Sequence, residues 1–334
     1  MTAAVDTVPT RRQTWQEGFA AWARRNTWTL GLLGFLVLLI IFTKLINPSF
    51  GAGGISNIAI RALPLGFATA AQAIVVISGG IDLSVASMMA FVGVVTATLM
   101  EGQSPEFGLA VVIGVLLLGL LMGLVNGTLV VLTRVPDIVV TLAMSFVWWG
   151  AALLVLRTPG GESVRWLRDL ALGPIGIDLL PRAAVLLVVV VAVIWIPLQR
   201  SRLGLSFYAV GSNQLAAFRS GVSVGRTKVL AYACTGLFAA LGGLSLVATT
   251  TLGDPKPGPY TLPAVAAVVL GGVSLAGGRG GLAGPLIAVV ILGLIRSDMT
   301  FLNLNQNLAT VAEGVILIAV VMLGSFIQLR RSRA

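Results

Sequence analysis

The chain has 334 residues, of which 57% are apolar and 10% charged, and its mean hydropathy is +0.99. A soluble domain carries about 25% charged residues and polar faces on its helices, so a water-soluble fold is excluded and the chain belongs in a bilayer. The net charge of +10 is not gathered on a soluble basic module, which excludes a nucleic-acid-binding domain. The absence of histidine excludes His-based proton relays, His metal ligands and Ser-His-Asp triads.

Residues 1–26 carry two arginine pairs, Arg11-Arg12 and Arg24-Arg25, interleaved with Trp15, Phe19 and Trp22. That pattern predicts a cytoplasmic tail with a short amphipathic helix on the membrane surface. Crossing about 30 Å of hydrocarbon takes about 20 apolar residues. Ten windows meet or approach this: 27–46, 58–77, 83–100, 108–132, 137–156, 179–198, 229–249, 261–276, 281–295 and 308–327. They predict one all-α polytopic membrane domain over 27–327, with a short tail at 328–334. Basic residues concentrate on the side that would hold the N-terminus, and an even number of spans returns the C-terminus to that side, so both termini are expected in the cytoplasm.

In the second span Gln72, and in the fourth Asn126, are amides that need partners in lipid and are candidates for a solute path or for helix-to-helix bonds. Gly119, Gly123 and Gly127 recur at intervals of four and so share one helix face, which predicts close helix packing. Asp82 and Glu313 are the main acids within spans. Between the second and third spans, Gly79 and Gly80 end one helix, and Asp82 or Ser84 is expected to cap the next. The single cysteine, Cys234, has no partner for an intrachain disulfide and is read as packing.

The loop 199–228 is long for a turn between membrane helices and contains Gly211-Ser212-Asn213-Gln214-Leu215-Ala216-Ala217-Phe218-Arg219-Ser220-Gly221. Ala216 and Ala217 are small enough to seat a short helix deeply in a partner's groove, Arg219 places a charge at its rim and Gly221 stops it. Farther on, Gly271 and Gly272 precede a run, Gly277-Gly278-Arg279-Gly280-Gly281. Without a preceding strand and a lysine this run reads as a tight turn and not a phosphate cradle, and no P-loop occurs elsewhere.

Three of these strings carry a resemblance. Gly80-Ile81-Asp82-Leu83-Ser84 resembles the Gly-Ile-Asp-Leu-Ser-Val-Gly signature of permease subunits of ribose-type ABC sugar importers, with Ala86 where the family has glycine. The 211–222 string is similar to the family's Gly-x-Asn-x-x-Ala-Ala-x-x-Ser-Gly-Ile, and also to a degenerate Glu-Ala-Ala-x-x-x-Gly coupling motif with Leu215 in the glutamate's place. The 266–280 string is similar to Ala-Val-Val-Leu-Gly-Gly-Thr-Ser-Leu-x-Gly-Gly-x-Gly. An echo of the 73–83 string in 267–275 is of a kind that chance supplies in a chain rich in Gly, Val and Leu.

The resemblance implies a vitamin-B12-importer-like (type II) ABC permease fold in the bacterial inner membrane, importing a small ribose-, xylose- or galactose-like sugar or polyol. It implies an extracytoplasmic solute-binding protein, cytoplasmic ATP-binding subunits that hold the ATP and Mg, and a second permease copy. This chain would supply no catalytic residue, metal site or cofactor. ATPase coupling would fall to Gly211, Asn213, Leu215, Ala216, Ala217, Arg219, Ser220 and Gly221, and the family signature to Gly79, Gly80, Asp82, Ser84, Gly271, Gly272, Gly277 and Gly278. A branched-chain amino acid permease is the first alternative. A stand-alone secondary carrier is disfavoured by the few membrane acids and the absent histidines.

Overall fold

A computed structural model of the chain describes residues 27–303 together with 308, 311, 314, 315, 318 and 322. Both tails, the surface helix expected in 15–22, Glu313 and most of the tenth window lie outside the described residues. Seven helices among the described residues are long and apolar enough to cross a membrane. They are α1 (Thr27–Ile46), α2 (Ala52–Ile77), α4 (Pro105–Thr133), α5 (Asp137–Val155), α7 (Arg182–Arg200), α10 (Val224–Thr250) and α12 (Ala283–Phe301). Shorter helices lie among them: α3 (Val85–Met100), α6 (Arg165–Ala171), α8 (Arg202–Ser212), α9 (Gln214–Arg219) and α11 (Thr261–Leu270).

The expectation of an all-α chain needs one small amendment, since β1 (Pro174–Ile175) and β2 (Ile177–Pro181) form an antiparallel hairpin. The hairpin turns at Gly176, whose φ is 71°, a value glycine adopts without strain. It takes the first residues of the sixth window, so the span α7 starts at Arg182.

The eighth window, 261–276, is corrected more substantially. Only Thr261–Leu270 is helical, about 15 Å at 1.5 Å per residue, half of what a span requires. Pro255, Pro257 and Pro259 with Gly258 deny the preceding segment a helix, and Gly271-Gly272 ends α11 below.

The interior is built around α10, which packs against α4, α2 and α3. Close approach between α10 and α4 depends on the glycine stripe: a Cβ at Gly119 would lie 2.6 Å from Gly236 O, and one at Gly127 2.8 Å from the Tyr232 Cβ. Helices in lipid gain from such backbone proximity because dispersion, not water exclusion, drives their packing. From Leu63 to Ile77, α2 is buried at every position but Leu65. By contrast α1, α5 and α7 present Leu38, Leu45, Phe146 and Val193 outward, as lipid-facing helices do.

Candidate functional site

Each of the three motif strings ends a helix in the same way. Gly79 (φ 83°) follows α2, Gly221 (φ 84°) follows α9 and Gly272 (φ 84°) follows α11. In each case two reverse hydrogen bonds close the last turn: Gly80 N to Val75 O and Gly79 N to Val76 O, Val222 N to Ala217 O and Gly221 N to Phe218 O, Val273 N to Val268 O and Gly272 N to Val269 O. This is the left-handed glycine stop, expected from the sequence after α2 and α9 and met again after α11. The echo between 73–83 and 267–275 therefore corresponds to a shared helix ending.

The ends converge. Gly278 N donates to Ile77 O at 2.9 Å, and Gly211, the penultimate residue of α8, lies between them. A Cβ on Gly211 would fall 2.6 Å from Gly278 N and closer still to Ile77 O, and a Cβ on Gly277 would fall 3.0 Å from the Cα of Gly79. Three chain segments thus meet backbone to backbone where any side chain would separate them. Tyr208 of α8 reinforces the joint by donating its hydroxyl to Gly280 O at 2.8 Å. Burial pushes that hydroxyl's pKa up, keeping it a neutral donor. The 277–281 run is accordingly a turn, as its sequence suggests, with the Gly277 and Gly278 amides bonded within the protein.

Beside this joint lies a buried polar network. Asp82 Oδ1 accepts from Ser84 N at 2.8 Å and from Ser84 Oγ at 2.6 Å. Ser84 Oγ accepts from Asn126 Nδ2 at 2.8 Å, and Asn126 Oδ1 accepts from Trp148 Nε1 at 3.1 Å. Trp148 in turn stacks on Phe91, with centroids 6.3 Å apart. Asp82, Ser84 and Asn126 are all buried. Asp82 therefore does not cap the first-turn amides of α3: it bonds Ser84, the residue before that helix, and folds the turn itself. Ser84 occupies the cap position without a capping bond of its own.

Other elements grip the same turn. Thr141 Oγ1 accepts from Leu83 N at 3.0 Å, and Tyr232 donates to Asp137 Oδ2 at 3.1 Å beside Gly80. Lys228 stands 4.0 Å from the other oxygen of Asp137. Thr141, Trp148 and Tyr232 escaped the sequence reading because each is an ordinary residue of its own helix, and only folding brings it to the Gly80–Ser84 turn.

The two amides separate. Asn126 is engaged at both ends within the network, the helix-to-helix role. Gln72 is buried with neither side-chain atom hydrogen-bonded, and Thr69, one turn away on the same helix, is in the same condition.

The loop 199–228 forms α8 and α9. Asn213 caps α9, its Oδ1 accepting from Ala216 N at 3.0 Å. The expected orientation of the small pair is corrected here. Ala217 is 5% exposed and so faces this chain, because the helix stop turns its last residues back toward α10. Leu215 at 59% and Phe218 at 67% exposure, three residues apart on one face, point away with Arg219 and the exposed Ala216. Two large apolar residues at that spacing in a loop between membrane helices were the signal that could have singled out Phe218. Among the described residues no group of three or more His, Cys, Asp or Glu gathers to hold a metal.

Comparison with known proteins gives a consistent picture. Residues 54–321 match the family described as branched-chain amino acid transport system / permease component. The chain is 31% identical over 298 residues to the ribose import permease protein RbsC of Escherichia coli (strain K12), covering 87% of this chain and 91% of the relative. Identity to the RbsC of Bacillus subtilis (strain 168) is 32% over 301 residues, covering 86% and 90%. The autoinducer 2 import system permease protein LsrD of Escherichia coli O9:H4 (strain HS) is 29% identical over 327 residues, covering 92% and 95%. No solved structure matches the chain.

Proposed function

The chain belongs to the family of branched-chain amino acid transport system / permease components, and on that premise we propose that it is the multi-pass membrane subunit of an ATP-binding-cassette importer for a small sugar or polyol. It is a permease and not an enzyme. ATP and Mg are held by cytoplasmic partner subunits, solute arrives from an extracytoplasmic binding protein, and a second permease copy completes the path across the bacterial inner membrane. The fold is of the vitamin-B12-importer type with both termini cytoplasmic. Although the family's description names amino acids, the similar proteins given above are import permeases for ribose and for autoinducer 2, which supports the sugar reading.

The observation that carries the mechanism is the direct backbone joint between α8, next to the exposed α9, and the ends of α2 and the α11–α12 turn. Movement of an ATPase bound at Leu215 and Phe218 reaches the membrane helices through Gly211 without a flexible connector. Alternating access follows if the ATPase has different affinity for the two arrangements, since only a differential affinity shifts such an equilibrium. Of the residues named for a path, Gln72 is retained with Thr69: hydroxyls of a passing sugar would satisfy groups that have no protein partner.

The test is reconstitution in lipid vesicles with the ATP-binding and solute-binding subunits. Ribose uptake should require ATP and all components, and the permease alone should hydrolyse nothing. Uphill uptake by this chain alone on a proton or sodium gradient would overturn the proposal. A second expectation concerns α9. Leu215→Ser with Phe218→Ser should lower co-purification of the ATP-binding subunit by roughly tenfold or more, as loss of two exposed apolar anchors does at interfaces. Thermal stability of the isolated permease should stay unchanged. Unaltered co-purification would place the ATPase contact elsewhere.

A further inference from the structure

The segment between α10 and α11 descends alongside α3. Gly253 sits against the far end of that helix, where a Cβ would lie 2.8 Å from the Cα of Val94 and 3.0 Å from the Cβ of Ala97. Thr261 sits at its near end, where Thr261 Oγ1 accepts from Ala86 N at 3.3 Å. Along α3 these levels are roughly 12–16 Å apart, at about 1.5 Å per residue. Residues 254–260 cover that distance without helix or strand. Three of the seven are prolines, interrupted by Lys256, Gly258 and Tyr260.

Non-helical backbone at membrane depth is tolerated only where it is buried in protein or faces water. Here Asp254, Lys256 and Pro259 are exposed, so this flank is not sealed by the described residues. Asp254 bonds only locally toward its own turn, its Oδ1 accepting from Lys256 N at 2.9 Å, and the side chains of both residues point outward. Charges held against hydrocarbon cost several kcal/mol, which excludes lipid as their neighbour. At the foot of the segment, at the level of Ala86, α11 begins with no side chain capping its first turn, and uncapped helix amides can be satisfied by water or by a ligand.

Resting on the permease reading, we infer that residues 254–260 and the start of α11 line a water-filled passage through the outer half of the membrane domain, which admits a small neutral polyhydroxylated solute. Lys256 and Asp254 mark its mouth, and Tyr260 and Thr261 its floor. Prolines fit such a wall because they hold an extended backbone and carry no N–H to be satisfied. The half-helix α11 is the consequence: a full span there would fill the passage.

The test uses the full chain with Cys234→Ala, reconstituted with its partner subunits, carrying Asp254→Cys, Lys256→Cys or Pro259→Cys, and Phe146→Cys as the lipid-facing comparison at similar depth. A membrane-impermeant, positively charged methanethiosulfonate applied from the binding-protein side should label 256 and 259 at least tenfold faster than 146. Labelling of 256 and 259 as slow as 146, or labelling confined to 254, would overturn the passage. The unaltered chain supplies a second measurement, since an impermeant sulfonated succinimidyl ester should acylate Lys256 from the same side. An unreactive Lys256 would equally overturn the inference. Ribose uptake in the same vesicles separates the two readings: slow labelling with uptake intact removes the passage and leaves the permease assignment standing.

Discussion

Gly211→Ala is expected to lower ATP-driven ribose uptake by tenfold or more, while Gly281→Ala leaves it at the parental rate. A methyl group at 211 meets Ile77 O and Gly278 N, both backbone atoms, whereas one at 281 meets nothing within 4 Å. Side-chain rotation offers no escape at 211, so the Gly278 N to Ile77 O bond of 2.9 Å must lengthen or α8 must move away. Overpacking of this kind costs about 1–3 kcal/mol, and about 1.4 kcal/mol is a factor of ten in an equilibrium. Because Leu215 and Phe218 are untouched, the ATP-binding subunit should still co-purify. The measurements are uptake, solute-stimulated ATP hydrolysis and co-purification on one preparation. Full coupling in Gly211→Ala would mean that force does not pass through this joint.

The second large effect is at Asp82. Asp82→Leu removes the acceptor of two short bonds from Ser84 in a site with no solvent access. A buried donor left without a partner costs about 1–3 kcal/mol, and Asn126 and Trp148 lose their alignment in turn. Folded permease in the membrane should fall severalfold, read by fluorescence-detected size exclusion. Asp82→Asn keeps the Oδ1 acceptor and removes a buried charge, which offsets the cost of placing an amide donor at Oδ2, an atom without a hydrogen-bond partner. Abundance and uptake should therefore remain near those of the parent. Normal abundance with abolished uptake in Asp82→Asn would instead assign the negative charge itself to transport.

Much of the local structure was legible. Gly79 and Gly221 announced helix ends because a positive φ costs glycine little and other residues more. The 119–123–127 spacing announced a packing face. The membrane class followed from composition alone. The resemblance drawn from three short strings extended to 54–321 of the chain.

Less legible was every feature that depends on which neighbour a residue meets. Hydropathy reported α11 as a full span because the apolar run 261–276 continues through Gly271-Gly272, yet those glycines turn where Pro285 and Trp28 close on them from elsewhere in the chain. Ala217 looked like a contact surface because smallness signals close packing without saying against what; the answer is this chain's own interior. Asn126 and Gln72 were equivalent amides in sequence, and only folding gave one Ser84 and Trp148 and left the other alone.

By itself, then, the sequence determined the solvent this protein lives in, the glycine stops at Gly79 and Gly221 and the family to which its motifs belong, since these depend on composition and on backbone angles set within a few residues. The tertiary structure decided the joint at Gly211, the grip of Asn126 and Thr141 on the turn at Asp82 and the short α11, since each rests on contacts between segments tens to hundreds of residues apart in the chain, and side-chain packing and hydrogen bonding act through space and not along the backbone.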